Sequence, residues 1–163
     1  MSVVMRKLYL ILPSLLLLAA CEDPFNTADE TIPDSLVKNS TIFFPGEVLE
    51  TTSTTINGLP VWRVNVENEY GAIVNFYWRK TAKNLYKIEG TNGPFDYNLK
   101  PPFDVINFAT ARFLATNNFT MGNISSWSFE PSPKENMKWF YVFHGDGEVP
   151  KVVLDAGSGA TIR

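Results

Sequence analysis

The sequence has little from which to build a reactive centre. Of its 163 residues one is cysteine and one is histidine, which excludes an internal disulfide framework, a cysteine-cluster zinc site and a histidine-rich metal site. Basic residues are also in short supply: 14 Lys and Arg against 17 Asp and Glu leave a net charge of −3. That balance speaks against nucleic-acid binding, which needs a basic face to displace counterions from phosphates. With 10 Gly, 11 Pro and 45% hydrophobic residues, the chain is neither collagen-like nor linker-like, and it is too apolar to be disordered. The apolar run from Leu8 to Ala20 is 13 residues long and broken by Pro13 and Ser14, short of the roughly 20 that cross a bilayer. What remains is enough chain for one domain or two very small ones with a real core.

What is present begins at the amino terminus. Arg6-Lys7, the short apolar run and the small residues after it have the layout of a secretory signal. The run ends Leu18-Ala19-Ala20-Cys21, which resembles the lipobox of bacterial lipoproteins. The plainer alternative is a secreted protein whose signal happens to precede a cysteine. The lipobox resemblance implies cleavage after residue 20 and lipidation of Cys21, so that the membrane is a partner through a lipid anchor. Two or more acyl chains hold a protein stably, at roughly 0.8 kcal/mol per buried methylene. Removal of Arg6 and Lys7 would leave 12 basic residues against 17 acidic ones, a net of −5. Residues 21–32 then read as a flexible acidic tether, and the expected location is the outer membrane, on its periplasmic side or at the cell surface.

Beyond the tether one pattern occurs twice. Phe44-Pro45-Gly46-Glu47-Val48 aligns with Thr120-Met121-Gly122-Asn123-Ile124, and Val61-Trp62-Arg63-Val64-Asn65-Val66 aligns with Lys138-Trp139-Phe140-Tyr141-Val142-Phe143. Each copy reads as a helix followed by strands, with boundaries at 33–101 and 102–163. Pro33 to Phe44 is the first helix, with Val37, Thr41 and Phe44 on one face; Pro102 to about Asn117 is the second, capped by Asp104, with Ile106, Ala109 and Phe113 on one face. Strands alternate about Trp62–Val66 and Ala72–Trp78, and a shorter one runs from Leu85 to Glu89. The second copy supplies Ile124–Glu130, Met137–His144 and Val149–Asp155, plus a final piece from Ala160. Gly145-Asp146-Gly147 predicts a tight hairpin. Helices set apart from antiparallel strands indicate an α+β fold.

These residues resemble the PepSY-like domains of Bacteroides-type lipoproteins, which share the fold of the secreted β-lactamase inhibitor protein. The likeness rests on Phe44-Pro45-Gly46, the strand Trp62–Val66, Gly71, the strand Trp139–Phe143, and the closing Val153-Leu154-Asp155-Ala156-Gly157-Ser158-Gly159. It implies two helix-plus-sheet repeats side by side, helices on one face, and a role in binding or inhibiting hydrolases, peptidases among them.

Chemistry is thinly signalled. Ser158 lies between two glycines near Asp155 and His144, but Gly157-Ser158-Gly159 is not a nucleophile elbow, and a turn of small residues accounts for it. Glu67/Glu69 and Asp146/Glu148 read as solvated loop charges, and Asp146-Gly147-Glu148 lacks the spaced acids of a calcium loop. No cofactor is expected. If Trp62, Val64 and Val66, with Trp139, Tyr141 and Phe143, meet the helices, the opposite face shows Phe140 and Val142 with Ile73, Tyr77 and Val153. An exposed apolar face of that kind marks a partner site. The expected function is a non-enzymatic, membrane-tethered module that binds a protein or peptide. The alternatives are a small-molecule carrier or sensor with a cleft between the repeats and, less favoured, a small hydrolase using Ser158 and His144.

Overall fold

The computed structural model describes residues 31–91, 93–132 and 135–162. The signal, Cys21 and most of the tether lie outside the described residues. The order of elements is α1 (Asp34–Phe43), β1 (Glu47–Ile56), β2 (Leu59–Glu67), β3 (Ile73–Arg79), β4 (Leu85–Thr91), α2 (Phe108–Asn117), β5 (Ile124–Ser132), β6 (Lys138–Gly145) and β7 (Lys151–Asp155). The strands form one seven-stranded antiparallel sheet in sequential order. The class is α+β, predominantly sheet. Two helix-then-strand halves meet at β4 and β5, which pair directly from Ile88↔Phe129 to Thr91↔Ser126.

Alternation decides which face is buried. Trp62, Val64 and Val66, then Val74, Phe76 and Trp78, then Trp127, Phe129, Tyr141 and Phe143 join Leu36 and Phe44 at the first helix and Phe108, Ala111 and Ala115 of the second in one core. Trp139 packs against that core half-buried. The β4–β5 seam is filled on this side by aromatic rings. Phe108 lies with its centroid 4.3 Å from Trp127 and 4.9 Å from Tyr97, and Trp127 Nε1 donates to the Tyr97 hydroxyl at 2.8 Å. Gly90 makes room for the pair: a Cβ there would stand 2.3 Å from Trp127 Nε1.

Both helices differ from their expected faces by a residue or two. In α1 the buried residues are Leu36 and Ser40, one position from Val37 and Thr41. A serine lies in the core because it satisfies an indole: Trp78 Nε1 donates to Ser40 Oγ at 3.0 Å, and Ser40 Oγ donates to the Leu36 carbonyl at 2.9 Å. Helix α2 starts at Phe108 rather than Pro102. Its cap is Asn107, whose side chain accepts from the Thr110 N–H at 2.8 Å, not Asp104. It buries Phe108, Ala111 and Ala115 and leaves Phe113 63% exposed, so small alanines, not Phe113, face the aromatic sheet.

Two turns also depart from expectation. Strand β1 was not foreseen, because Thr and Ser occupy both of its faces and leave no apolar alternation. It returns to β2 through Asn57-Gly58, both at positive φ (50° and 78°), as a two-residue hairpin requires. Conversely, the Asp146-Gly147 link is no tight turn. Gly145 N–H reaches Pro150 O at 3.0 Å across a longer loop, Gly147 N–H donates to Met121 O at 2.7 Å, and Asp146 accepts from Asn123.

Candidate functional site

The face of the sheet away from the helices carries the five residues that the sequence offers as a partner surface. Phe140, Val142, Ile73, Tyr77 and Val153 all belong to the register positions that point there. Arg63 stands opposite Tyr77, Tyr77 opposite Lys87, and Glu130 opposite Phe140, while Val142 stands opposite Val153. The side chains are not the open apolar display expected from the sequence. Phe140 is only 5% exposed and Tyr77 8%, and Ile73, Val142 and Val153 are half-buried.

The five residues divide into two groups. Strands β1 to β5 carry a polar ladder: Arg63 pairs with Glu50 at 2.6 Å, Tyr77 donates its hydroxyl to Glu89, and Lys87 bridges Glu89 at 2.6 Å and Glu130 at 3.7 Å. Burial first, and the Glu89 carboxylate second, raise the Tyr77 hydroxyl well above its ordinary value, so it stays protonated as a donor. Arg63 Nε, Asn65 Oδ1, Asn75 Oδ1 and Arg79 Nε are buried on this ladder without a hydrogen-bond partner. Ile73 stands opposite Glu67, away from the other apolar members.

Apolar character gathers instead at β5 to β7. Phe140, Val142, Val153 and Ile162 line a depression of about 330 Å³ with Glu130 and Lys151 on its wall. Ile162 is brought there by the returning carboxyl-terminal segment, whose Ile162 N–H donates to Val153 O at 2.9 Å beside a Leu154↔Thr161 bridge. A second depression of about 450 Å³ adjoins it, sharing Glu130 and Pro131, with Ile56, Leu59, Tyr86 and Met137 among its lining. Leu59, Met137 and Ile162 are among the large hydrophobic side chains most open to solvent, at 40%, 48% and 38%. Together the two depressions make an elongated groove with apolar ends and a charged middle. Sequence reasoning missed its far half, since that half depends on the Asn57-Gly58 hairpin, although the Asn-Gly pair was there to read.

The residues considered for chemistry are not brought together. Ser158 Oγ donates to Asp155 Oδ1 at 2.9 Å, and the same oxygen accepts from the Gly157 and Ser158 N–H groups. Those bonds hold the Asp155 carboxyl below the usual range, Ser158 contributing most. His144 stands opposite Lys151, four residues along β7 from Asp155, roughly 13 Å at about 3.3 Å per residue. Asp146 is likewise lowered by hydrogen bonds from the Asn123 side chain and backbone, and Glu148 accepts from Thr120 Oγ1 at 3.3 Å. No group of three or more Asp, Glu, His or Cys suited to a metal occurs among the described residues. None of the described helices is long and apolar enough to cross a membrane.

No family model matches the chain, and no curated protein matches it. Among solved structures, a "putative lipoprotein" from Clostridium difficile 630 aligns over 80% of this chain and 87% of its own, at 12% identity and a TM-score of 0.36. So slight a likeness carries neither fold nor function to this chain.

Proposed function

We propose that this chain is a non-enzymatic lipoprotein of the bacterial cell envelope, anchored through Cys21, whose outer sheet face binds an extended apolar segment of a partner protein. The observation that carries the reading is the groove from Leu59 through Glu130 to Ile162, with exposed apolar side chains at both ends. An extended segment can span two adjoining depressions, whereas a small-molecule site encloses most of its ligand. The anchor rests on the Leu18–Cys21 motif. The PepSY-like resemblance proposes hydrolases, peptidases among them, as the partner class.

The repeat reading that underlies this resemblance has support of its own. Trp62 and Trp139 lie on the second strand after α1 and α2 respectively. Gly46 lies three residues after α1 and Gly122 five residues after α2, each shortly before the next strand. A Cβ on Gly46 would stand 2.2 Å from Glu67 O, and one on Gly122 would stand 2.3 Å from Asp146 Oδ1. Both glycines thus let the chain pass close to the end of the following hairpin's second strand. The carrier alternative has less to stand on, because the seam between the halves is packed by Tyr97, Phe108 and Trp127.

The test is peptide display selected against the full chain. Met137→Asp and Ile162→Asp are each expected to weaken the selected peptides at least about tenfold, or 1.4 kcal/mol. Phe113→Asp, on the helix side, should leave them unchanged. Peptides indifferent to both groove variants would remove the groove from the proposal. In cells, Cys21→Ser should release the chain from the membrane fraction, and retention there would remove the anchor.

A further inference from the structure

The two edges of the sheet are finished differently. At β7 the chain's own returning segment covers part of the edge, through the Leu154↔Thr161 bridge and the Ile162 N–H to Val153 O bond. At β1 no other described strand follows. Ten residues long, β1 has neither proline nor lysine, and all but Val48, Thr52 and Ile56 are exposed. Natural edges are normally protected by such residues, by a bulge or by a cover. Here a register irregularity between Val48 and Glu50 interrupts pairing at one end, and the Asn57-Gly58 turn closes the other. The regular edge is therefore Glu50–Ile56, seven residues with Ser53 at the centre.

Its central five residues, Thr51-Thr52-Ser53-Thr54-Thr55, read the same in either direction. We propose that two copies of this chain pair antiparallel through β1, about a two-fold axis at Ser53, to make one continuous fourteen-stranded sheet. In this register the two seven-residue edges overlap completely. Thr51 meets Thr55 of the second copy, Thr52 meets Thr54, and Glu50 meets Ile56, so no carboxylate opposes another. Cross-strand threonine pairs are favourable neighbours, and an isologous contact of this kind closes at two copies rather than propagating. The axis stands normal to the sheet, so both pairs of helices share one side and both outer grooves the other. An unrelated strand would gain the same backbone bonds. A second copy in this register also sets threonine against threonine and serine against serine at every pair from 51 to 55, which an unrelated strand would not.

Register-specific cross-linking tests the pairing on the full chain in detergent, with Cys21→Ser as the common background. Ser53→Cys puts two thiols opposite each other, at the strand spacing a disulfide needs. Thr51→Cys puts its two thiols four residues apart, roughly 13 Å along the strands. Mild oxidation should link the Ser53→Cys copies at least about tenfold faster than the Thr51→Cys copies. Equal rates, or no linkage, would overturn the proposal. Sedimentation of the cysteine-free background provides a second measurement. Its mean mass should rise with concentration, and Ser53→Lys, which sets two ammonium groups face to face, should abolish the rise with an unchanged circular dichroism spectrum. A background chain monomeric at every concentration would equally overturn it.

Discussion

The two halves of the sheet build their cores from different materials on the same side of one layer. In the half formed by α1 and β1–β4 the buried sheet positions are mainly aliphatic: Val64, Val66, Val74, Leu85 and Ile88, with Trp62, Phe76 and Trp78. In the half formed by α2 and β5–β7, aromatic rings succeed one another from Tyr97 through Phe108 and Trp127 to Tyr141, and from Phe103 through Trp139 and Phe129. The helices are matched to these surfaces. Helix α2 buries the small Ala111 and Ala115, whereas α1 buries Leu36 and a Ser40 that accepts a hydrogen bond from the Trp78 indole. Buried indole and phenol groups find partners in both halves, but in the second the partners come from loops: Tyr97 for Trp127, and the Ile106 carbonyl for Tyr141 at 2.9 Å. Aromatic packing therefore ties the 95–107 connection into the core of the second half.

The largest expected effect follows from that dependence. Phe108 touches Tyr97, Trp127, Tyr141 and Phe143, so Phe108→Ala should cost about 3–5 kcal/mol. Ile88→Val, on the aliphatic side of the same seam, should cost only about 0.5–1.5 kcal/mol. Urea unfolding followed by tryptophan fluorescence measures both. Similar losses would mean that the seam is not keyed by its rings.

Much of the strand pattern was legible in the sequence, and the gaps have physical causes. Trp62-Arg63-Val64-Asn65-Val66 gave its register by apolar alternation, and the alignment of the two copies carried that register to Trp139-Phe140-Tyr141-Val142-Phe143, which is apolar on both faces. Strand β1 could not be read that way, since an edge strand exposed on both faces carries no alternation. The helix faces were misplaced because the decisive residues are small. Ser40 is buried to serve Trp78, and on α2 the buried residues include Ala111 and Ala115. For the outer face, the register of Phe140, Val142, Ile73, Tyr77 and Val153 was legible, but their burial was not. That burial depends on the Tyr77–Glu89 bond and on a carboxyl-terminal segment that returns beside β7, neither of which has a local sequence signal.

A middle-sized effect probes how each half satisfies one buried indole, Trp78 in the first and Trp127 in the second. Ser40→Ala leaves the buried Trp78 Nε1 without its acceptor, at about 1–3 kcal/mol. Tyr97→Phe does the same to Trp127 and should cost a similar amount. Thermal unfolding of each variant and of the pair would show additivity if the two halves pack independently, and coupling if the shared core transmits the change.

The smallest effect separates the halves by charge. Each uses a side-chain oxygen to gather backbone N–H groups at a chain reversal, but with different chemistry. Asn68 Oδ1 accepts from Tyr70 and Ala72 in the first half, at 3.0 and 2.9 Å. Asp155 Oδ1 accepts from Gly157 and Ser158 in the second, at 3.1 and 2.8 Å. Only the carboxylate titrates. Its folded value lies below the ordinary value of 3.8, chiefly through Ser158. Its contribution is therefore complete above that ordinary value and is lost as pH falls through the lower, folded one. Solvent screening keeps the contribution small. Asp155→Asn keeps an acceptor oxygen but cannot titrate, so the melting temperature of this variant should fall less between pH 7 and pH 3 than that of the parent. The reciprocal Asn68→Asp should add an acid-sensitive step to the first half. Hydrogen exchange at Gly71 and Ala72 against that at Ser158 and Gly159 would locate each step, and an Asp155→Asn profile identical to the parent's would show that the charge of this cap carries no weight in the acid limb.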